Sequence, residues 1–147
     1  MIKLYTIGFT KKPAQKFFDL LKESGVSKIV DTRINNSSQL SGFAKASDLK
    51  FFAKEIGDIN YEHKIDFAPS KELLSKYRKK EITWKEYEDE YLNLLDIRKV
   101  AQKTDIEKLH KNCLLCSENK KKKCHRRLLA EYLQHVKGDV EIIHLIK

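Results

Sequence analysis

Short apolar segments alternate along the chain with amphipathic segments of helical period. The apolar segments predict five β-strands, each bounded by polar or turn-forming residues. Their nearly continuous apolar content is typical of parallel strands that are covered by helices on both faces. We assign these strands to Ile2–Ile7, Lys28–Thr32, Ile59–His63, Cys113–Ser117 and Val140–Ile146.

The amphipathic segments predict helices between the strands. Two Thr-x-x-Glu sequences, which begin at Thr83 and Thr104, are interpreted as capping boxes at helix starts. Ser70 is a further predicted cap, and Gly138 is placed to end the last helix. We assign helices to Ala14–Ser24, to Asp48–Ile56, to a segment from Trp84 onward, and to about Arg126–Val136.

This alternation of strands and helices predicts the α/β fold class. The 147 residues suit one hydrophobic core, and an apolar fraction of 41% supplies enough side chains to fill it. The sequence shows no internal repeat and no linker. We therefore expect a single domain over residues 1–147, with a mostly parallel central sheet of about five strands flanked by helices in a Rossmann-like three-layer arrangement.

Composition also bears on where the protein works. No apolar run approaches the ~20 residues that span a bilayer, and residues 1–6 do not resemble a signal peptide. Three cysteines in such a chain do not suggest a disulfide framework. We therefore expect a cytoplasmic protein with no membrane partner. The sequence leaves the oligomeric state open.

The net charge of +9 is concentrated in one part of the chain. Residues 108–127 contain eight Lys or Arg and one acid, which gives this segment a net charge of +7. The segment 81–107 is acidic, with eight Asp or Glu against four Lys or Arg. The excess positive charge, including Lys120 to Lys123, therefore points to one anion-binding region rather than to a generally basic surface.

Polar residues follow the predicted strands at their carboxyl ends. Parallel sheets bind ligands in the crevice beyond these ends, so the side chains there are candidates for one shared site. Asp31 and Arg33 follow the second strand, and Glu118 follows the fourth. The residues predicted at this rim include Thr6, Gly8, Asp31, Arg33, Ser38, Cys116 and Glu118, and His63 ends the third strand there.

The sequence Cys124-His125-Arg126 opens the last predicted helix. A helix N-terminus favours anions, and an arginine there adds donors for a phosphate or carboxylate. The same positive field favours the thiolate form of Cys124. Glu118, two residues beyond Cys116, is interpreted either as a general base or as a salt-bridge partner of Arg33 or Arg126.

Three interpretations of the cysteines stay open. Cys113 and Cys116 lie three positions apart on a strand and so point to opposite faces, which leaves Cys113 in the core. Cys116, Cys124 and His125 then form a possible three-ligand zinc site, with zinc as the implied cofactor. Alternatively, Cys116 or Cys124 is a nucleophile with His125 or Glu118 as base, or the thiols are simply packed.

Three motifs resemble a known family. These are Tyr5-Thr6-Ile7-Gly8-Phe9-Thr10, then Asp31-Thr32-Arg33 followed by Ser38, then Leu115-Cys116-Ser117-Glu118 leading to Cys124-His125-Arg126. In this order they resemble the family catalogued as domain of unknown function 488. The resemblance implies an α/β fold with the motifs gathered at one site, and it implies no particular activity.

The chain departs from that family pattern in several places. Phe9 stands where the family often has His, and Asn35-Asn36 stands where it tends to have Pro. Asp66-Phe67-Ala68-Pro69 replaces a glycine-rich segment. A catalytic or ligand role of the family's His is therefore not available to this chain.

These features predict an enzyme that acts on a phosphate-bearing substrate, a nucleotide or nucleic acid, as a hydrolase or transferase. Thr6, Gly8, Arg33, Ser38 and Arg126 are the predicted anion-binding residues. The predicted catalytic residues are Asp31, Cys116, Glu118, Cys124 and His125. The alternatives are a non-catalytic nucleic-acid-binding module, in which the lysine run contacts phosphates, and a zinc-binding protein.

Overall fold

A computed structural model describes residues 1–36, 39–117 and 124–146. The predicted Ser38, Glu118 and Lys120 to Lys123 lie outside the described residues. Within them the chain forms five strands, and each strand begins and ends within one residue of its predicted bounds. They are β1 (Ile2–Gly8), β2 (Lys28–Asp31), β3 (Asn60–His63), β4 (Asn112–Cys116) and β5 (Val140–Leu145).

The five strands form one all-parallel sheet in the order β3-β2-β4-β1-β5. The central strand β4 pairs with β2 on one side and with β1 on the other. Gly8 at the end of β1 lies opposite Cys116 at the end of β4. The carboxyl ends of the inner strands therefore meet at one edge, as the sequence predicts.

The helices cover both faces of the sheet and complete three layers. They are α1 (Ala14–Ser24), α2 (Ala46–Gly57), α3 (Lys71–Arg78), α4 (Trp84–Ile97), α5 (Val100–Lys103) and α6 (His125–Lys137). Helices α1 and α2 share one hydrophobic core with Ile7 and Leu115. Helices α3 to α6 share the other core with Leu4 and Leu114. Alternate residues of β1 and β4 thus point to opposite cores, which is the two-residue period of a strand.

One predicted capping box is confirmed and the other is wrong. Thr83 accepts a hydrogen bond from the backbone N–H of Glu86, whose side chain accepts from the Thr83 backbone N–H, and α4 begins there. Thr104 instead ends α5, with its backbone N–H bonded to the Val100 carbonyl. Asp105 caps the 3-10 segment that follows. Thr104 therefore belongs to the end of α5 and does not cap the segment that follows.

Glycine is required where α1 turns into β2. Gly25 has φ 78°, and the N–H groups of Gly25 and Val26 bond to the carbonyls of Lys22 and Leu21. These two bonds are the Schellman pattern, which satisfies the last carbonyls of a helix. The turn lets Val26 return to the core beside α1.

Within the described residues, no helix has both the length and the apolar character that crossing a lipid bilayer demands. The longest helix, α4, has 14 residues and carries charged side chains along its length.

We expect Gly25→Ala to lower the free energy of unfolding by about 1–2 kcal/mol, the cost of a left-handed conformation for an L-residue. A Cβ at Gly25 would meet open space, so the loss reflects the backbone conformation alone. Urea denaturation measures it. Glu23→Ala, at an exposed position in the same helix, is the control and should change stability by less than about 0.5 kcal/mol. Equal effects of the two variants would contradict this account.

Candidate functional site

A cleft opens where the strand connections change direction. Strands β1 and β4 are neighbours, but α1 leaves the end of β1 on one face and α6 follows β4 on the other face. Helices that diverge in this way leave a crevice beyond the strand ends, which is the usual ligand site of open α/β sheets. The structure has a cleft of about 730 Å³ at this point.

The cleft walls come from both halves of the fold. The loops after β1, β2 and β4 supply one side, and α3 with the start of α4 supplies the other. The lining residues used below are Phe9, Lys11, Lys12, Arg33, Tyr77, Arg78, Trp84, Tyr87, Cys116, Cys124 and His125.

Positive charge dominates the lining. Lys11, Lys12, Arg33 and Arg78 all reach the cleft, and none of its described lining residues is Asp or Glu. Lys12 is 7% exposed, and burial, together with the nearby Arg126 charge, lowers its pKa to about 8. The described lining is therefore suited to an anion, whose charge would stabilise the protonated form of Lys12.

Asp31 and Arg33 form a buried ion pair behind the cleft. Asp31 is fully buried, and its carboxylate accepts hydrogen bonds from Nε and Nη2 of Arg33 at 2.9 and 2.7 Å. It also accepts from the Arg33 backbone N–H and from the Tyr61 hydroxyl, at 3.1 and 2.6 Å. These four donors occupy the carboxylate, and Asp31 does not line the cleft.

The pair fixes the position of Arg33. Nη2 also donates to the Ala44 carbonyl at 2.7 Å, and the ring of Phe9 lies 5.3 Å from the guanidinium carbon. Nη1 is buried and has no hydrogen-bond partner among the residues that the structure describes. A buried donor of this kind costs about 1–3 kcal/mol while it has no acceptor.

Aromatic side chains form part of the opposite wall. Trp84 and Tyr87 stack with their ring centroids 5.0 Å apart and their planes inclined by 15°. Tyr77 packs against both rings, at 5.4 and 5.1 Å. Trp84 is only partly buried, so the cluster presents apolar ring surface to the cleft.

Two cysteines and a histidine meet at the start of α6. The sulfur atoms of Cys116 and Cys124 and a ring nitrogen of His125 all lie within 4.8 Å of one another. The cysteines are joined as a disulfide whose Cα atoms are 7.6 Å apart. The sequence analysis did not suggest this bond, because three cysteines in a chain expected to be cytoplasmic do not indicate a disulfide framework. The two cysteines are eight positions apart, and they meet because one ends β4 and the other precedes α6.

A backbone carbonyl fixes the orientation of His125. Nε2 lies 2.8 Å from the Thr32 carbonyl oxygen, which only accepts, so Nε2 carries the proton and donates it there. Nδ1 therefore keeps its lone pair. Burial lowers the pKa of His125 to about 4, and the Arg126 charge contributes to this, so the ring is neutral near pH 7.

Arg126 lies behind the sulfur atoms and is fully buried. Its Nη1 donates to Cys116 Sγ at 3.3 Å and to Cys124 Sγ at 3.8 Å. Its Nε donates to the Thr6 hydroxyl at 3.4 Å, and that hydroxyl is also hydrogen-bonded to His144 Nδ1. Arg126 thus supports the cysteines rather than lining the cleft.

The structure brings together only part of the predicted site. Arg33, Cys116, Cys124 and His125 line the cleft. Asp31 and Arg126 stand behind them and hold them in place. Thr6 and Gly8 are buried in the sheet and do not line the cleft, and Arg127 pairs with Glu88 and Glu131 instead of facing it.

Several lining residues escaped the sequence analysis. Lys11 and Lys12 lie in the loop after β1, beyond Phe9 and Thr10, so the rule that pointed to Arg33 in the loop after β2 could also have found them. Cys113 is confirmed as a core residue, in the hydrophobic core that α1 and α2 share. Arg78 and Trp84 come from helices, and no strand-end rule identifies them.

Comparison with known protein families places this site in a family. The family model "Domain of unknown function DUF488" matches residues 13–133. The chain belongs to the DUF488 family. The matched range contains the Asp31-Thr32-Arg33 and Cys124-His125-Arg126 motifs and begins after the Tyr5–Thr10 motif. No curated protein and no solved structure gave a match to this DUF488 chain.

We expect Asp31→Asn to lower the free energy of unfolding by about 3–5 kcal/mol, because it leaves the buried Arg33 charge without its partner. Glu62→Gln is the matched control: Glu62 forms an ion pair with Lys28 that is partly exposed to solvent, and its loss should cost no more than about 1 kcal/mol. Urea denaturation of both variants tests this. A cost for Asp31→Asn as small as that of Glu62→Gln would show that the pair does not anchor the site.

Proposed function

We propose that this DUF488 protein is an enzyme that acts on a nucleotide in the cleft beyond β1, β2 and β4. The observation that carries the proposal is the charge of the lining, to which Lys11, Lys12, Arg33 and Arg78 contribute four cations, while no described lining residue is Asp or Glu. Cations that converge on a concave surface raise the local concentration of anions and bind phosphate oxygens.

Arginine geometry favours phosphate as the anionic group. The Asp31 carboxylate holds the Arg33 guanidinium in place, so little side-chain entropy is lost when a phosphate binds. Each charge-assisted hydrogen bond contributes about 1.5–3 kcal/mol. The role of Asp31 in this proposal is to position Arg33, since its own oxygens already accept four hydrogen bonds.

The aromatic wall favours a nucleotide over a simple phosphate ester. Base stacking on an aromatic side chain contributes about 1–3 kcal/mol and tolerates any base. Tyr77 and Trp84 supply such a surface on the helix side of the cleft. A cleft of about 730 Å³ also lies in the usual size range of small-molecule sites, about 300–1,000 Å³, so we favour a mononucleotide over a nucleic acid.

Side chains that can take part in catalysis also line the cleft, which is why we propose an enzyme rather than a binding module. Neutral His125 is oriented by a backbone carbonyl, as a base or ligand must be. Cys116 and Cys124 adjoin it, and they supply thiols only when their disulfide is reduced. Glu118 lies outside the described residues. We propose it as the acid–base group from its position in the sequence, two residues after Cys116.

Nucleoside diphosphate should bind at least ~10-fold more tightly than the matching nucleoside, since each retained charged contact contributes more than about 1.4 kcal/mol. The pKa of about 8 for Lys12 sets the pH dependence. Below pH 8 Lys12 is already protonated, whereas above it binding must take up a proton, so affinity falls by up to about tenfold per pH unit. Isothermal titration calorimetry from pH 7 to pH 10 measures both effects.

Lys12→Ala should weaken nucleotide binding and remove this fall in affinity above pH 8. Lys22→Ala removes the same charge from an exposed position outside the cleft and should change neither property. Nucleoside and nucleotide binding with equal affinity would overturn the proposal. Strong binding of an oligonucleotide, with an affinity that falls steeply with salt and does not depend on Lys12, would favour the nucleic-acid-binding module instead.

Glu118→Gln should reduce turnover by at least ~100-fold, the usual contribution of a general acid or base, while nucleotide affinity stays within about threefold. The assay follows nucleoside mono-, di- and triphosphates by phosphorus NMR and chromatography. Glu107→Gln, at an exposed acid outside the cleft, is the control and should leave turnover unchanged. Full activity of Glu118→Gln would exclude this role, and no turnover by the wild-type protein would exclude an enzyme acting on these substrates.

A further inference from the structure

The cluster of Cys116, Cys124 and His125 contains the donor types of a metal site. We propose that, once a thiol or phosphine reductant has supplied two electrons and two protons have converted the disulfide to two thiols, these thiols lose their protons to solvent and bind, together with Nδ1 of His125, one Zn²⁺ ion whose fourth position faces the cleft. The contacts of these three residues support the metal site independently of the proposed function. Only a role of the metal in catalysis rests on that proposed function.

The spacing of the donors suits a single zinc ion. Tetrahedral coordination with Zn–S of about 2.3 Å and Zn–N of about 2.0–2.1 Å places sulfurs about 3.8 Å apart and sulfur and nitrogen about 3.6 Å apart. The two sulfurs and one ring nitrogen of His125 already lie within 4.8 Å of one another. Small side-chain movements therefore suffice to surround one ion.

The backbone spacing of the cysteines also fits this arrangement. Their Cα atoms are 7.6 Å apart, whereas disulfide-bonded cysteines usually have Cα separations of about 4.4–6.8 Å. A wider separation leaves room for an ion between the sulfurs. The Cα separation therefore suits two reduced cysteines that hold a metal ion between their sulfurs.

The imidazole has the environment of a metal ligand. Ligating histidines almost always donate their other N–H to a carboxylate or a backbone carbonyl, which fixes the ring and its tautomer. Nε2 of His125 makes this bond to the Thr32 carbonyl. The Thr32 hydroxyl is in turn anchored to the Leu115 carbonyl at 2.7 Å, so the support of the ring is itself fixed.

Arg126 supports the sulfur ligands from behind. Its guanidinium donates to Cys116 Sγ and lies within 3.8 Å of Cys124 Sγ, on the buried side of the pair. N–H donors of this kind stabilise sulfur that carries negative charge. Two thiolates also offset the charge of a divalent cation, so the buried arginine does not face an uncompensated ion.

Three protein ligands leave one tetrahedral position open, which is the arrangement of catalytic rather than structural zinc. All three ligand residues line the cleft, so a water or a substrate oxygen could reach the fourth position from there. Zinc in such a site lowers the pKa of a bound water and polarises a phosphoryl or carbonyl oxygen. Two sulfurs and one nitrogen favour zinc over magnesium or calcium, which prefer oxygen ligands.

The test uses the full chain, reduced with a phosphine and shown to have three free thiols. Zinc affinity is measured by competition with a chromophoric chelator, and Co²⁺ serves as the spectroscopic probe. We expect one equivalent of zinc, and a Co²⁺ spectrum with sulfur-to-cobalt charge-transfer bands and intense visible bands of tetrahedral coordination. Less than a tenth of an equivalent, or a Co²⁺ spectrum without charge transfer, would overturn the proposal.

Variants separate this site from adventitious binding. Cys116→Ser, Cys124→Ser and His125→Gln should each weaken zinc binding by at least ~100-fold. Cys113→Ala removes the third thiol, which lies in the hydrophobic core that α1 and α2 share, and should leave the zinc affinity unchanged. Equal losses in Cys113→Ala and Cys116→Ser would overturn the site. Should a serine variant fail to fold, His125→Gln decides alone, since it keeps both thiols and loses only the nitrogen ligand.

The same protein distinguishes failure of the metal site from failure of the proposed function. Nucleoside diphosphate binding is measured on metal-free protein, where the Lys12→Ala loss is expected to persist. Stoichiometric zinc without nucleotide binding would overturn the proposed function and leave the metal site standing. Nucleotide binding by a protein that binds no zinc would overturn the metal site and leave the proposed function standing.

Discussion

The parallel pairing of β1 with β4 is the constraint on which the rest of the structure depends. Gly8 and Cys116 end these strands side by side, and the helices that follow leave on opposite faces. The cleft exists because these helices diverge and, among the residues that the structure describes, leave the strand ends uncovered. Both proposals use it: Lys11, Lys12 and Arg33 reach it from the loops after β1 and β2, and the cluster of two sulfurs and an imidazole reaches it from the end of β4 and the start of α6.

Two buried arginines are the second feature on which the site depends. Arg33 and Arg126 are both almost completely buried, and the fold treats them differently. Arg33 has a carboxylate partner that turns a flexible side chain into a fixed donor for the cleft. Arg126 donates to two sulfur atoms and so acts on the groups that line the cleft rather than on a ligand. One arginine thus belongs to anion binding and the other to the sulfur cluster.

The sequence predicted the fold more completely than the site. Apolar periodicity located all five strands and α1 because burial of those side chains decides where strands and helices form. It failed at Thr104, where a preceding short helix ends, since a capping motif does not reveal what comes before it. It also grouped Asp31 with the reactive residues, whereas hydrogen bonds from Arg33 and Tyr61 occupy that carboxylate. Partners in space, not position at a strand end, decide what a carboxylate can do.

The sequence by itself determined the strands, because side-chain periodicity is a local property. Their alternation with helices implied a parallel sheet, whose carboxyl edge would then hold Arg33 and Cys116. Only the tertiary structure decided that Arg78 and Trp84 form the opposite wall, and that Cys124 and His125 stand beside Cys116. Those distances depend on the face of the sheet that each helix covers. That choice is made by packing between elements far apart in the chain, which no local pattern records.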